Sequence, residues 1–288
     1  MLQVARLAPK LLGESSALVE GFFRSQLNVE GGFRDRGGRS DLYYTVFGME
    51  GLMALQAEIP LDRIEPFLRS FGDGEGLDLV HLACLARCWA AFPPPRRQGL
   101  AAAALLSRVE RHRAADGGYD AQAGAQQGNL YGCFVALGAY QDAGAAMPEP
   151  QRMLECVGRL RTADGGYTNQ ADMPHGLTPS AAAAVVVLRH LDEQPDPALG
   201  GWLLGRCRRE GGFFASPMAP VPDLLSTATA LHALAALRVD FAAMVEPCLD
   251  FLDSLWTNRG GFYGTWDDDT LDCEYTYYGL LALGHLVR

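Results

Sequence analysis

The chain has 288 residues, 49% of them hydrophobic and 20% charged, which is the composition of a folded globular protein with a substantial core rather than a disordered one. A net charge of −10, with Lys10 the sole lysine among 24 basic residues, argues against a nucleic-acid partner, because neutralising phosphate needs a basic face. The seven cysteines, Cys84, Cys88, Cys133, Cys156, Cys207, Cys248 and Cys273, form no close CxxC pair, so they read as reduced thiols of a cytoplasmic protein.

Residues 1–12 mix Arg6 and Lys10 into a short apolar pattern without a signal-peptide core. The longest apolar stretch, Ala181 to Leu188, is a fraction of a membrane span. An integral membrane protein is therefore not expected. From there on the chain is governed by a repeat. Gly31-Gly32-Phe33, Gly117-Gly118-Tyr119, Gly165-Gly166-Tyr167, Gly211-Gly212-Phe213 and Gly260-Gly261-Phe262 open five units. The first interval is 86 residues, twice 43, and the others are 48, 46 and 49, so a worn sixth unit is expected near Gly74-Glu75-Gly76.

Each unit reads as an amphipathic helix, a Gly-Gly-aromatic turn, a loop of about ten residues and a more apolar helix. The second helices are expected to begin near Asp41, Asp78, Asn129, Thr178, Asp223 and Asp272. Short oxygen-bearing side chains at these places can accept hydrogen bonds from the free amides of a first helical turn, and Pro179 suits the first helical position. The second helices are apolar on nearly every side, as in Ala181 to Leu188 and Leu280 to Leu286, which means burial. The preceding ones, such as Gln98 to Arg111 and Pro150 to Leu160, carry charge on one face and form an outer layer. Within the former, the run Ala101 to Leu106 is ordinary helix former. Six such pairs predict an all-α chain folded as one closed six-fold α/α toroid over 1–288, with no linker dividing it.

Gly-Gly-aromatic turns leading into Asp-headed inner helices resemble the protein prenyltransferase β subunits and the class II terpene and squalene cyclases, over nearly the whole chain from about Ser16 to Arg288. The resemblance implies the toroid and a central cavity for an isoprenoid chain; function itself lives in the site. In the β subunits a catalytic zinc is held by an Asp and a Cys heading the penultimate inner helix and a His in the last. Here Val221-Pro222-Asp223-Leu224-Leu225-Ser226 keeps an Asp but puts leucines in the cysteine's neighbourhood. Asp272-Cys273-Glu274-Tyr275-Thr276 puts Tyr275 where the family has His. Since a catalytic zinc needs three protein ligands, zinc is not expected, and no metal site is assigned. The loop Phe214 to Pro220 also lacks the family's diphosphate-holding Arg and Lys, while His175 falls where the β subunits carry a diphosphate-binding histidine.

Compared with the cyclase acid motif Asp-x-Asp-Asp-Thr, the same stretch reads Asp-x-Glu-Tyr-Thr, which puts Glu274 in the proton donor's place beside Asp272. Two neighbouring carboxyls can split their pKa values and supply an acid. Each also has a plain structural role open to it, Asp272 as helix cap and Glu274 as a first-turn acid. Asp267-Asp268-Asp269 reads either as a solvated loop or as a magnesium site beside a diphosphate. Arg34, Arg36 and Arg39 crowd the first loop as diphosphate contacts or surface charge. Tyr43, Tyr44, Phe47, Tyr131, Phe134, Tyr275, Tyr277 and Tyr278 gather near the starts of inner helices, where aromatic faces can line a cavity and stabilise a carbocation. His81, His232 and His285 read as buried, hydrogen-bonded histidines.

The expected function is an isoprenoid-processing enzyme with Glu274 and Asp272 as catalytic carboxyls. His175, Tyr275, Tyr278, Tyr44, Arg34 and Arg36 are its candidate substrate contacts, and magnesium is a candidate cofactor if the substrate is a diphosphate. The alternative is a non-catalytic binding or scaffold subunit that pairs with a helical-repeat protein.

Overall fold

A computed structural model describes residues 1–99 and 102–287. In chain order its helices are α1 (Leu2–Ala5), α2 (Pro9–Leu12), α3 (Ser16–Ser25), α4 (Leu42–Ala54), α5 (Leu61–Arg69), α6 (Leu79–Ala90), α7 (Ala102–Glu110), α8 (Leu130–Asp142), α9 (Pro150–Arg159), α10 (Thr178–His190), α11 (Ala198–Leu204), α12 (Leu224–Ala236), α13 (Val245–Leu255) and α14 (Cys273–Leu286). From α3 onward they alternate between outer and inner, giving the six expected pairs. Gln98, expected to open an outer helix, instead follows a 3-10 turn at Pro94–Arg97 in extended backbone. Ala101, the first residue of the alanine run, lies outside the described residues.

The inner helices are capped as the sequence predicts at five of six starts. Asp41, Asp78, Asn129, Asp223 and Asp272 each accept the backbone N–H three residues on. The sixth differs. Thr178 is the first residue of α10, after Leu177, and its hydroxyl donates to Phe214 O at 2.6 Å, while Pro179 follows in the first turn. The tie to the next repeat's loop takes the place of a cap.

Two devices explain why the turns recur. The first glycine of each has positive φ, between +84° and +96°, a region costly for any residue with a Cβ. It also presses against the following outer helix. A Cβ on Gly31 would meet Arg63 O of α5 at 2.0 Å, one on Gly211 would meet Pro247 O of α13 at 1.9 Å, and one on Gly260 would meet Leu18 O of α3 at 2.2 Å. The last contact joins repeat six to repeat one.

The aromatic then tucks beneath the inner helix, where Phe33, Tyr119 and Phe213 are fully buried. The N–H of Phe33 donates to Thr45 Oγ1 and that of Phe213 to Thr227 Oγ1, both at 2.9 Å, and that of Phe262 to Thr276 Oγ1 at 3.4 Å.

Adjacent repeats are stitched at the same end of the ring. Leu130 N donates to Asn169 O, Thr178 N to Ala215 O and Leu224 N to Gly264 O, so α8, α10 and α12 each start on the loop of the next unit. The inner helices touch in the order α4, α6, α8, α10, α12, α14, and α14 returns to α4. The ring is closed. At the opposite end α1 packs on α14 and α4, with Val4 O only 2.1 Å from where a Cβ on Gly284 would sit. Near that end Arg87 joins Glu50 at 2.7 Å and Asp142 at 2.6 Å.

Candidate functional site in the ring lumen

Because the inner helices run parallel, their capped starts and the six loops before them surround one opening. Below it, the residues that keep solvent contact on otherwise buried helices mark the lumen: Tyr43, Tyr44 and Phe47 on α4, Phe134 on α8, and Glu274 and Tyr278 on α14. Tyr131, on α8 within the electrostatic reach of Glu274, Asp78 and Cys84, is 42% exposed. The α10 and α12 side offers Pro179, Ala183, Val186 and Leu225 instead. One wall is therefore aromatic and hydroxyl-bearing, the other small and aliphatic.

Glu274 sits on the first wall. Tyr43 Oη donates to Glu274 Oε1 at 2.6 Å, across a sequence separation of 231 residues. Burial raises the Glu274 carboxyl to about 7, the Tyr43 hydrogen bond opposes the rise, and Asp272 adds to it. Burial, together with Tyr278 and Glu274, holds the Tyr43 hydroxyl far above its ordinary value, so Tyr43 keeps its proton and stays a donor. Phe47 meets Tyr43 edge-on at 4.9 Å and lies 5.6 Å from Tyr278.

Asp272, 3% exposed, is committed twice. It caps α14 through Tyr275 N at 2.8 Å and receives Arg36 Nε at 2.8 Å. Burial raises its pKa despite both donors. Arg36 also holds Asp268 at 2.7 Å and lies 5.4 Å over the Tyr275 ring. Asp268 thus belongs to an ion-pair network, and the Asp267 to Asp269 run is not simply solvated.

The other predicted contacts spread out. Tyr44 lines the lumen edge-on to Tyr43, and burial followed by Asp272 and Glu274 raises its hydroxyl to about 12. Tyr275 packs against Gly264, where a Cβ would lie 2.6 Å from its ring. Arg34 is exposed and donates to Gln26 Oε1 at 2.7 Å. His175 is exposed on the loop before α10.

Two features were not anticipated. Tyr43 is visible in the sequence as one of the aromatics, but nothing there joins repeats one and six to pair it with the acid. His81, expected to be buried, is 32% exposed at the rim, its Nδ1 2.9 Å from Asp78 and its Nε2 3.2 Å from Asp41. These two carboxylates, Asp41 first, raise it to about 9. His232 and His285, also expected to be buried, are half-buried and pair with each other, Nδ1 to Nε2 at 3.0 Å, and burial lowers them to about 4 and about 3.

The residues present do not fit the zinc of the β subunits. Asp223 is spent on Ser226 N and Oγ, both at 2.7 Å. Among the described residues no three His, Cys, Asp or Glu side chains are grouped to hold a metal. Two clefts elsewhere, about 180 Å³ beside Trp89 and Arg97 and about 290 Å³ beside Phe241 and His285, include none of the predicted site residues.

The family model described as the prenyltransferase alpha-alpha toroid domain matches residues 10–84, 78–214 and 181–287. The chain belongs to this toroid family. No curated protein matches its sequence. Among solved structures, it is similar to the type II terpene cyclase MstE from Scytonema, bound to its substrate geranylgeranyl dihydroxybenzoate, at 13% identity and TM-score 0.66 with 97% of each chain covered. A protein from Actinoplanes is 16% identical, with TM-score 0.65 over 95% of this chain and 98% of that one. A polysaccharide lyase is 12% identical, with TM-score 0.60 over 96% of each. At these identities the likeness is one of fold. Among the described residues, no helix of this toroid is long and apolar enough to cross a membrane.

Proposed function

We propose that this toroid binds an isoprenoid chain in its lumen and acts on it by proton transfer from Glu274. The observation that carries this reading is a carboxyl raised to about 7, facing an aromatic lumen and hydrogen-bonded by a tyrosine. Burial keeps a large share of the acid protonated near neutral pH, which a general acid requires. In the step, the Glu274 proton passes to one carbon of an alkene, the π electrons form that C–H bond, and the neighbouring carbon becomes cationic. The Tyr43 O–H, already on Oε1, stabilises the carboxylate left behind. The faces of Phe47, Tyr44 and Tyr278 stabilise the carbocation. Ring closure by a second alkene and return of a proton to the carboxylate complete the turnover. Asp272 acts as a positioning residue that fixes the first turn of α14.

The substrate-bound cyclase of the same fold supports a lumen-bound isoprenoid. The test is to incubate the protein with a panel of prenyl alcohols and prenylated phenols and analyse products by mass spectrometry. Conversion by the native chain, lost in Glu274→Gln with binding retained, is expected. Equal conversion by that variant would remove Glu274 from the reaction. Binding without conversion would favour a non-catalytic binding protein, a reading consistent with Asp272 being spent on Arg36.

A further inference from the structure

The six loops that rim the lumen, residues 34–41, 74–78, 120–129, 168–177, 214–223 and 263–272, hold three arginines and eleven carboxyl side chains. Their net charge of minus eight compares with −10 for the whole chain. The rim therefore accounts for most of the molecule's net negative charge. Its arginines and His81 already have partners, Arg39 only in an exposed pair at 3.5 Å, and exposed His175 adds at most one further cation. Arg36 is held by Asp268 and Asp272, Arg39 by Asp35, and His81 by Asp78 and Asp41, while Arg34 is turned to Gln26.

A diphosphate needs several free cations or amides converging on it. Taking Arg36 would strip the partner from nearly buried Asp272, and a buried charge left unpaired is strongly destabilising. From this charge arrangement we infer that the site takes an isoprenoid whose polar end is not anionic, an alcohol, phenol or amine, and that it excludes prenyl diphosphates. This deepens the proposed function and rests on the lumen binding an isoprenoid at all.

The rim also supplies hydrogen-bonding groups suited to such an end. Tyr131 offers an accessible hydroxyl beside Tyr43, and Asp41 and Asp78 offer acceptor oxygens beside His81. An ammonium would be drawn in by the same field that repels a diphosphate.

The experiment is competition for the lumen among geranylgeraniol, geranylgeranylamine and geranylgeranyl diphosphate, read by displacement of a fluorescent prenyl alcohol, with and without magnesium. The alcohol and the amine are expected to bind, and the diphosphate about tenfold or more weaker, with the gap narrowing as salt screens the rim. Asp267→Asn with Asp269→Asn removes two rim charges without touching the Arg36 pairs. It should strengthen diphosphate binding severalfold and leave the alcohol unchanged. Diphosphate binding as tight as the alcohol, alone or with magnesium, overturns the inference and leaves the isoprenoid reading standing. Failure of all three prenyl ligands to bind overturns both.

Discussion

At the scale of the residue, the decisive group is Glu274, whose chemistry and stability pull in opposite directions. Its folded pKa, about 7, exceeds the ordinary 4.5, so between these values the folded chain binds more protons than the unfolded one. Stability from this group is therefore intact below about 4.5 and lost as pH rises through about 7, a cost of about 3 kcal/mol at most. Glu274→Gln removes the charge and keeps an oxygen for Tyr43. Its melting temperature should exceed that of the native chain at pH 8 and match it at pH 4, a comparison that thermal unfolding at the two values decides. Tyr43→Phe leaves the carboxyl buried without its donor and should move the alkaline limb of a pH–activity profile, where the acid ionises, to higher pH. An unchanged profile would mean that Tyr43 only packs.

The carboxyl itself was legible in the sequence, because Asp272-Cys273-Glu274-Tyr275-Thr276 heads an inner helix. Its donor was not, because the Tyr43 hydrogen bond exists only once repeats one and six meet. Arg36 was visible as one of three loop arginines, but nothing local distinguished it from Arg34, which points to Gln26.

At the scale of the element, the inner helices share a side-chain grammar that explains both the regular and the worn repeats. Four residues after the cap position come Thr45, Cys133, Ala181, Thr227 and Thr276, and seven after it come Gly48, Ala136, Ala184, Ala230 and Gly279. The second set must be small because the turn aromatic lies across it. A Cβ on Gly48 would fall 2.1 Å from the Phe33 ring, and one on Gly279 would fall 2.5 Å from that of Phe262. Repeat two has no aromatic after Gly74, and there the two positions are Leu82 and Leu85, with Leu82 reaching toward Gly74 and filling the space. What looked like erosion in the sequence is a compensated exchange of one large side chain for two leucines.

Two element-scale outcomes follow from the same geometry. Gly48→Leu should overpack α4 against Phe33 and cost at least about 1–3 kcal/mol, whereas Gly21→Leu, at a position with open space on α3, should be neutral or stabilise by up to about 1 kcal/mol. Denaturant unfolding of the two variants makes the comparison. Thr227→Val keeps the shape but leaves the buried Phe213 N–H without its acceptor, at about 1–3 kcal/mol. Recovery of native stability in that variant would mean the N–H finds another partner.

At the scale of the whole molecule, the pH response sums groups on both sides of neutrality. His81, raised to about 9 by Asp41 and Asp78, contributes stability that is complete below about 6.5 and lost as pH rises through 9. The half-buried pair His232 and His285, lowered to about 4 and 3, contributes stability that is present above about 6.5 and lost as pH falls through those values. Stability should therefore peak on the slightly acidic side of neutrality and decline both ways. Replacing His81 with Gln should flatten the alkaline limb while leaving the acid limb in place. Chemical denaturation from pH 4 to pH 9 measures both.

The six-fold plan was legible at this scale because glycine turns and apolar helices recur at nearly constant spacing. Closure was legible only as an inference from pair count, and what secures it is the recurring glycine contact carried round to repeat one, Gly260 against Leu18, together with the non-periodic pair of Arg36 on Asp272.

Closure also bears on how the protein comes to be active. The groups that make the acid, Tyr43 and Glu274, are 231 residues apart, and bringing such distant residues together has to await much of the intervening chain. A partly assembled ring would leave Glu274 in water, with the acidity of a free glutamate and no aromatic wall beside it. On the proposed function, proton-transfer chemistry is withheld from every incomplete form of the molecule, and its appearance during refolding should coincide with the last, ring-sealing event rather than with helix formation.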